Sequence, residues 1–277
     1  MIVRIILFFA TFFAATVPVW WEGGFLMSLL VSVGVWFATF LGLILMAAGF
    51  LWICCAVVDF DKPQEEDSPF YRWLTEVYIV ALIQLLSIRI HTEGLEKTPK
   101  EGRFLLVCNH QHEADPGVLM HYFKASQLVF ISKQENRDMP FIGKIMHKLR
   151  CQLLNRENDR QALKVILKCI DLIKKDQASI AVFPEGGIKI EGKLSPFRPG
   201  VFKIATKTQV PIVVCTIRNT QFVLRNGLRL KPTDVHFHVV DVIQPEQYAG
   251  MKTTEISDMV HQIMAKDLGP EFWLEEK

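Results

Sequence analysis

Charge is nearly absent from the first fifth of this chain. Of 31 basic and 29 acidic residues in 277, only Arg4 and Glu22 lie within residues 1–58. Residues 2–21 are apolar apart from Arg4 and two threonines, and Glu22-Gly23-Gly24 then supplies a polar break. Residues 25–58 follow without one charged side chain. A bilayer core of ~30 Å needs about 20 helical residues, so the second run is long enough to span and the first is marginal. Trp20 and Trp21 suit a headgroup belt at the end of the first run. A cleaved signal peptide over residues 1–21 is the alternative. It lacks a small-x-small site before Trp20 and would still leave the second run as an anchor. Whether the chain crosses once or twice stays open.

The remainder reads as ordinary globular protein. A net charge of +2 argues against a nucleic-acid partner held by bulk electrostatics. The six cysteines are Cys54, Cys55, Cys108, Cys151, Cys169 and Cys215, with no C-x-x-C pair. That fits neither a disulfide framework nor a zinc site, and points to a cytosolic face for the soluble part. The organisation expected is a membrane anchor over 1–58, a Pro/acid linker over 59–69 and a single domain over 70–277. Ser68-Pro69 reads as N-cap and first helical position of an apolar helix over 70–88 at or near the membrane surface.

From residue 88 onward the fold class expected is α/β. Strand-like runs at 88–93, 103–109, 127–132, 152–155, 179–183, 210–217 and 234–243 alternate with helical ones. The helical runs fall at 116–124, 138–149, 159–175, 199–208 and 253–267. In such sheets, ligands bind where strands hand over to loops. The strand 103–109 runs into Asn109-His110-Gln111-His112-Glu113-Ala114-Asp115-Pro116. Five positions apart, His110 and Asp115 would stand about 140° apart on a helix, so only a turn can pair them. With Asp115 capping a helix that begins at Pro116, its carboxylate could reach one imidazole nitrogen of His110. The other nitrogen would then accept a proton from a substrate hydroxyl. From the turn alone, two further readings stand beside this one. Asp115 could be a plain N-cap next to a loop histidine. His110, His112, Glu113 and Asp115 could also hold a metal, although the His-x-His-x-Asp-His register is off by one.

The strand 179–183 ends in Phe183-Pro184-Glu185-Gly186-Gly187-Ile188-Lys189. Paired glycines can turn successive N–H groups toward an anion, and they also make tight turns. Nearby cations are Lys133, Arg137, Lys144, Arg156, Lys189, Lys193, Arg198 and Lys203.

Taken in order, these blocks resemble the glycerolipid acyltransferases of the 1-acyl-sn-glycerol-3-phosphate acyltransferase type, over roughly residues 85–245. The Asn-His-x-x-x-x-Asp block is Asn109, His110 and Asp115. A basic residue and Pro-Phe-x-Gly turn are Lys133 and Pro140-Phe141-Ile142-Gly143. An arginine after the next strand is Arg156. The Phe-Pro-Glu-Gly block is Phe183 to Gly186, the Phe-basic-x-Gly block is Phe197, Arg198 and Gly200, and the closing block is Val210-Pro211-Ile212. The resemblance implies a mixed sheet flanked by helices, preceded by membrane helices. It implies acyl transfer from a thioester, acyl-CoA or acyl-carrier protein, to lysophosphatidic acid drawn from the membrane lipids, giving phosphatidic acid, with a different lysophospholipid or hydroxylated lipid as the alternative acceptor. Neither a metal nor an organic cofactor is implied. His110 would be the base and Asp115 its orienter. Asn109, Phe183 and Pro184 would line the substrate site, and Glu185 with Gly186 and Gly187 would shape the acceptor pocket. Lys133, Arg156 and Lys189 would meet phosphate. One position departs. The family usually has arginine where this chain has Ile188, which leaves the acceptor headgroup open. A non-catalytic lipid binder on the same fold is the rival from another class.

Overall fold

The central strand shows why the sheet needs cover on both sides. The computed structural model describes residues 2–21, 23–155, 159–188 and 193–272. Its strands are β1 (Ile88–Glu93), β2 (Leu105–Cys108), β3 (Val129–Lys133), β4 (Gln152–Leu154), β5 (Ile180–Val182), β6 (Ile212–Arg218) and β7 (Thr233–Ile243). They form one seven-stranded sheet in the order β1-β7-β6-β2-β5-β3-β4. Every neighbouring pair is parallel except β6 with β7, which makes the sheet mixed. All four residues of β2 are buried, as expected of a strand covered on both faces.

Strand alternation divides β2 between two cores. Leu105 and Val107 pack with α6 (Asp159–Lys174) through Val165, Ile166, Cys169, Ile170 and Ile173, and with α9 (Thr253–Leu268) through Ile256, Val260 and Met264. Phe104, Leu106 and Cys108 pack on the other face with Val118, Leu119 and Phe123 at α4 (Asp115–Tyr122). Each core aliphatic side chain on such a strand contributes roughly 2–5 kcal/mol when truncation to alanine is the measure.

The N-terminal helices are α1 (Ile2–Trp20) and α2 (Phe25–Ala56). They pack on each other, and the Trp36 indole N–H donates to Thr11 Oγ1 at 3.3 Å. By length and composition α2 can cross a membrane. Its rise of about 48 Å exceeds the ~30 Å core. Helix α3 (Pro69–Leu85) follows, with Ser68 as its N-cap and Pro69 in its first turn. It ends three residues short of the expected 88, where Ser87 takes a left-handed φ of +52° and turns the chain into β1.

The segment between α2 and α3 is strapped down, not a free tether. α5 (Ile142–Lys148) and the residues after it hold it. Lys144 Nζ donates to the Val58 carbonyl at 2.6 Å, Lys148 Nζ to Gln64 at 2.9 Å, and Arg150 to the Glu65 carbonyl at 3.1 Å. His147 Nε2 lies 3.0 Å from the Lys62 carbonyl.

The run 138–149, expected as a single helix, is broken. Residues 134–138 form a 3-10 turn, and Phe141 stands at φ +61°, ψ −51° before α5 begins. The Ile142 N–H reaches back to the Pro140 carbonyl at 2.6 Å, which is the strained three-residue γ-turn. Gly143 is dictated by this geometry, since a Cβ there would sit 1.9 Å from the Arg137 carbonyl oxygen. The run 199–208 starts as a 3-10 turn and becomes α7 (Lys203–Thr208). Between β6 and β7 lies a helix that the apolar periodicity did not signal, α8 (Val223–Leu228), whose Val223 packs in the core with Val235 and Phe237 of β7.

Candidate active site

β2 and β5 run parallel side by side, so their carboxyl ends deliver the His110 and Glu185 loops to one edge of the sheet. β2 is followed by β3 on one side while β5 is followed by β6 on the other. That divergence is where open sheets leave a crevice.

Asn109 locks the start of the loop. Its Oδ1 accepts the Ile217 N–H at 2.7 Å, and its Nδ2 donates to the Ile217 carbonyl at 2.9 Å. Both polar ends are committed to β6 and the side chain is buried. The expectation that Asn109 contacts substrate is therefore corrected: it ties β2 to β6 and fixes where His110 begins.

Asp115 does not cap its helix. It is the first residue of α4, and the Ala114 carbonyl takes the Gly117 N–H at 3.0 Å and the Val118 N–H at 3.3 Å. The carboxylate folds back into the loop instead. Oδ2 accepts from the Gln111 and His112 N–H groups at 2.7 and 2.9 Å, and lies 2.8 Å from His110 Nδ1. Asp115 is fully buried. An acceptor-only group there fixes Nδ1 as the protonated nitrogen and leaves Nε2 as the acceptor. The imidazole also stacks on Phe183, with centroids 4.2 Å apart and planes 20° apart, and Phe183 stacks in turn on Phe130. Carboxylate and stacked ring together fix the orientation of the imidazole. Such a group can take a proton from a hydroxyl whose oxygen approaches Nε2.

Glu185 takes a different place from the one expected. It is buried, with Oε1 accepting the His110 N–H and Oε2 the Ser195 N–H, both at 2.8 Å. Burial pushes its carboxyl above the ordinary value, and the two backbone N–H bonds pull the other way. It is a clamp behind the histidine, not a wall of an acceptor pocket. Gly186 and Gly187 do adopt positive φ, +75° and +138°. The Gly186 N–H, however, bonds the Phe183 carbonyl at 3.0 Å, so it closes the turn. Pro184 is buried, and its carbonyl takes the Arg198 N–H at 2.9 Å. Of this block only Phe183 meets the histidine ring.

The expected cations scatter. Lys133 ends β3, half-buried, on the same sheet edge. Arg156 and Lys189 lie outside the described residues. Arg137 and Lys144 sit over the Phe60 ring at 4.8 and 4.1 Å, and Lys193 donates to the Glu271 carbonyl. Among the described residues no group of three or more His, Cys, Asp and Glu is arranged to hold a metal ion. Cys108 lies in the buried core with Phe104 and Leu106, its thiol 3.9 Å from Asn109 Oδ1. Burial, with Cys215, Asp115 and Glu185 nearby, pushes its thiol well above the usual range. Ser195 and Ile217 were not legible beforehand, because they act through backbone N–H and carbonyl groups that carry no residue signature.

Residues 89–218 match the Acyltransferase family. The 1-acyl-sn-glycerol-3-phosphate acyltransferase of Borreliella burgdorferi is 28% identical over 62% of this chain and 70% of its own. The chloroplastic 1-acyl-sn-glycerol-3-phosphate acyltransferase of Brassica napus is 35% identical over 57% of this chain and 46% of its own. Across these and similar curated relatives the match spans from 45% to 70% of their lengths. The crystal structure of the 1-acyl-sn-glycerophosphate (LPA) acyltransferase, PlsC, from Thermotoga maritima superposes with a TM-score of 0.61. It is 22% identical, and the match covers 80% of this chain and 87% of that one, a likeness of fold.

Proposed function

We propose that this chain, whose residues 89–218 match the Acyltransferase family, is an acyltransferase that moves a fatty acyl group from a thioester to the free hydroxyl of a lysophospholipid. Lysophosphatidic acid, giving phosphatidic acid, is the leading acceptor, since the relatives' names carry that activity. The observation that carries the reading is the 2.8 Å contact of His110 Nδ1 with buried Asp115 at the carboxyl end of β2.

The steps follow from that contact. The acceptor hydroxyl gives its proton to His110 Nε2 as its oxygen attacks the thioester carbonyl carbon. Asp115, held by two N–H groups, stabilises the imidazolium that forms. When the tetrahedral intermediate collapses, the C–S bond breaks and the proton passes from Nε2 to the departing thiolate. Ester and free thiol result, and the histidine is restored. Acyl-CoA and acyl-carrier protein both supply such a thioester. We place the catalytic domain on the cytosolic face of a membrane held by α1 and α2, in keeping with six free thiols. A lipid acceptor would then enter from the bilayer without crossing water.

A second acceptor reading rests on Ile188. It is 39% exposed and offers no donor where the resemblance expects arginine, which favours a lysolipid with a less charged headgroup. Mass spectrometry of products tests both. Membranes holding the protein should acylate lysophosphatidic acid with one of the two donors. Acylation confined to lysophospholipids without a phosphate monoester would replace the leading acceptor with the second.

A further inference from the structure

β6 ends at Arg218, on the sheet edge that carries His110, and α8 lies just beyond it. This short helix turns a bare apolar surface outward. Leu224, Leu228 and Leu230 are 53%, 78% and 92% exposed. Arg225, Arg229 and Lys231 stand between and beside them, all exposed. Position 230 is locally unfavourable for leucine in two ways. The Leu230 N–H bonds the Gly227 carbonyl and the Lys231 N–H bonds the Asn226 carbonyl, a Schellman closure whose left-handed position prefers glycine. Leu230 occupies it at φ +55°, and it also places nearly its whole side chain in water.

α8 adjoins the membrane-attached part of the fold. A Cβ added to Gly227 would come within 2.6 Å of Leu86, so the helix sits against the end of α3. Leu82 and Leu85 of α3 are themselves exposed. α3 runs antiparallel to α2, because the Tyr71 hydroxyl donates to the Cys54 carbonyl and the Tyr78 hydroxyl to the Ala47 carbonyl. The leucines of α8 thus extend the apolar surface of α2 and α3 around to the edge of the candidate active site.

We infer that α8 and Leu230 form a second membrane contact, with the leucines in the headgroup–acyl boundary of an anionic bilayer and Arg225, Arg229 and Lys231 on lipid phosphates. The inference rests on α2 being embedded in a membrane. Interleaved leucines and cations suit this partner: the apolar groups leave water while the charged heads stay at phosphate level. The contact would hold the His110 edge of the sheet against the layer in which a lipid acceptor is dissolved.

The test places a single fluorophore on the full chain in phosphatidylcholine–phosphatidylglycerol vesicles containing nitroxide-bearing lipid. Leu230→Cys reports on α8 and Leu41→Cys on α2. Lys100→Cys reports on the opposite sheet edge, before β2. Lipid nitroxide should quench the labels at 41 and 230 and spare the label at 100. Quenching at 41 with position 230 as open to aqueous iodide as position 100 would overturn the inference and leave the anchor standing. A label at 230 shielded from both iodide and lipid would mean that another protein chain covers α8, which also overturns it. No quenching at 41 would remove the anchor reading itself. Replacing Arg225, Arg229 and Lys231 by glutamine should lower the docked fraction, by roughly fivefold in its equilibrium per cation. Unchanged quenching in that variant would contradict the lipid-phosphate contacts.

Discussion

Asp115 Oδ2 sits 2.8 Å from His110 Nδ1 and also receives the N–H groups of the two loop residues that follow the histidine, Gln111 and His112. One buried oxygen thus sets both the tautomer of the histidine and the path of the chain around it. Asp115→Asn keeps an oxygen that can accept those bonds and removes the charge that stabilises imidazolium. Turnover should fall by about 10²–10⁴-fold. The new buried amide donors should cost about 1–3 kcal/mol of stability. Steady-state kinetics and a denaturant titration on the same preparation check both.

Glu185 should matter through its two backbone bonds. Glu185→Gln keeps one acceptor and turns an N–H pair toward His110 N or Ser195 N, so a donor faces a donor. Stability should drop by about 1–3 kcal/mol, and kcat should fall while the donor KM stays near its wild-type value.

The same residue sets a pH dependence. Its folded carboxyl titrates above the ordinary 4.5 because of burial, so between the two values the folded state binds more protons than the unfolded one. Stability contributed by Glu185 is therefore present below about 4.5 and is lost as pH rises through the folded value. Subtracting the Glu185→Gln stability profile from the wild-type profile should give a curve that declines with rising pH across that window. A difference curve that climbs there would contradict a buried, raised carboxyl.

Cys108 should form no acyl-enzyme. Its thiol is buried on the core face and held protonated by burial, and only a thiolate attacks a thioester well. Cys108→Ala should keep most of the turnover and lose about 1–2 kcal/mol of packing. Intact-protein mass spectrometry after donor is added without acceptor should show no added acyl mass.

Ile188 tests the acceptor. If the acceptor is a phosphate monoester, Ile188→Arg should hold or improve its specificity term. Arg156→Ala and Lys189→Ala should each raise the acceptor KM by roughly 10- to 150-fold, the worth of a charge-assisted hydrogen bond. Normal acceptor kinetics in both alanine variants would favour the less charged headgroup.

Much of the scaffold could be read from the residue pattern. β2 is legible because Leu105 to Cys108 are apolar on both faces, and α6 because its apolar positions recur at helical spacing. The juxtaposition of His110 and Asp115 was readable as a turn geometry. The path was not: a carboxylate bonded to Gln111 and His112 looks the same in sequence as one capping a helix. Glu185 looks like a pocket residue in sequence for the same reason, since its partners are the N–H groups of His110 and Ser195. The break at Phe141 leaves no mark in the sequence, because a γ-turn has no apolar period. α8 is not legible in the sequence, because its exposed leucines defeat the rule that apolar positions point inward.

Whether His110 is the base of an acyl transfer is open to direct measurement. The direct measurement is the rate of phosphatidic acid formation from lysophosphatidic acid and acyl thioester by wild-type and His110→Ala protein in membranes, at matched abundance and with matched melting temperatures. Product should form with the wild type, and its rate should fall by about 10²–10⁴-fold in the variant. A variant rate within about threefold of wild type, too small for a missing general base, would contradict that role for His110.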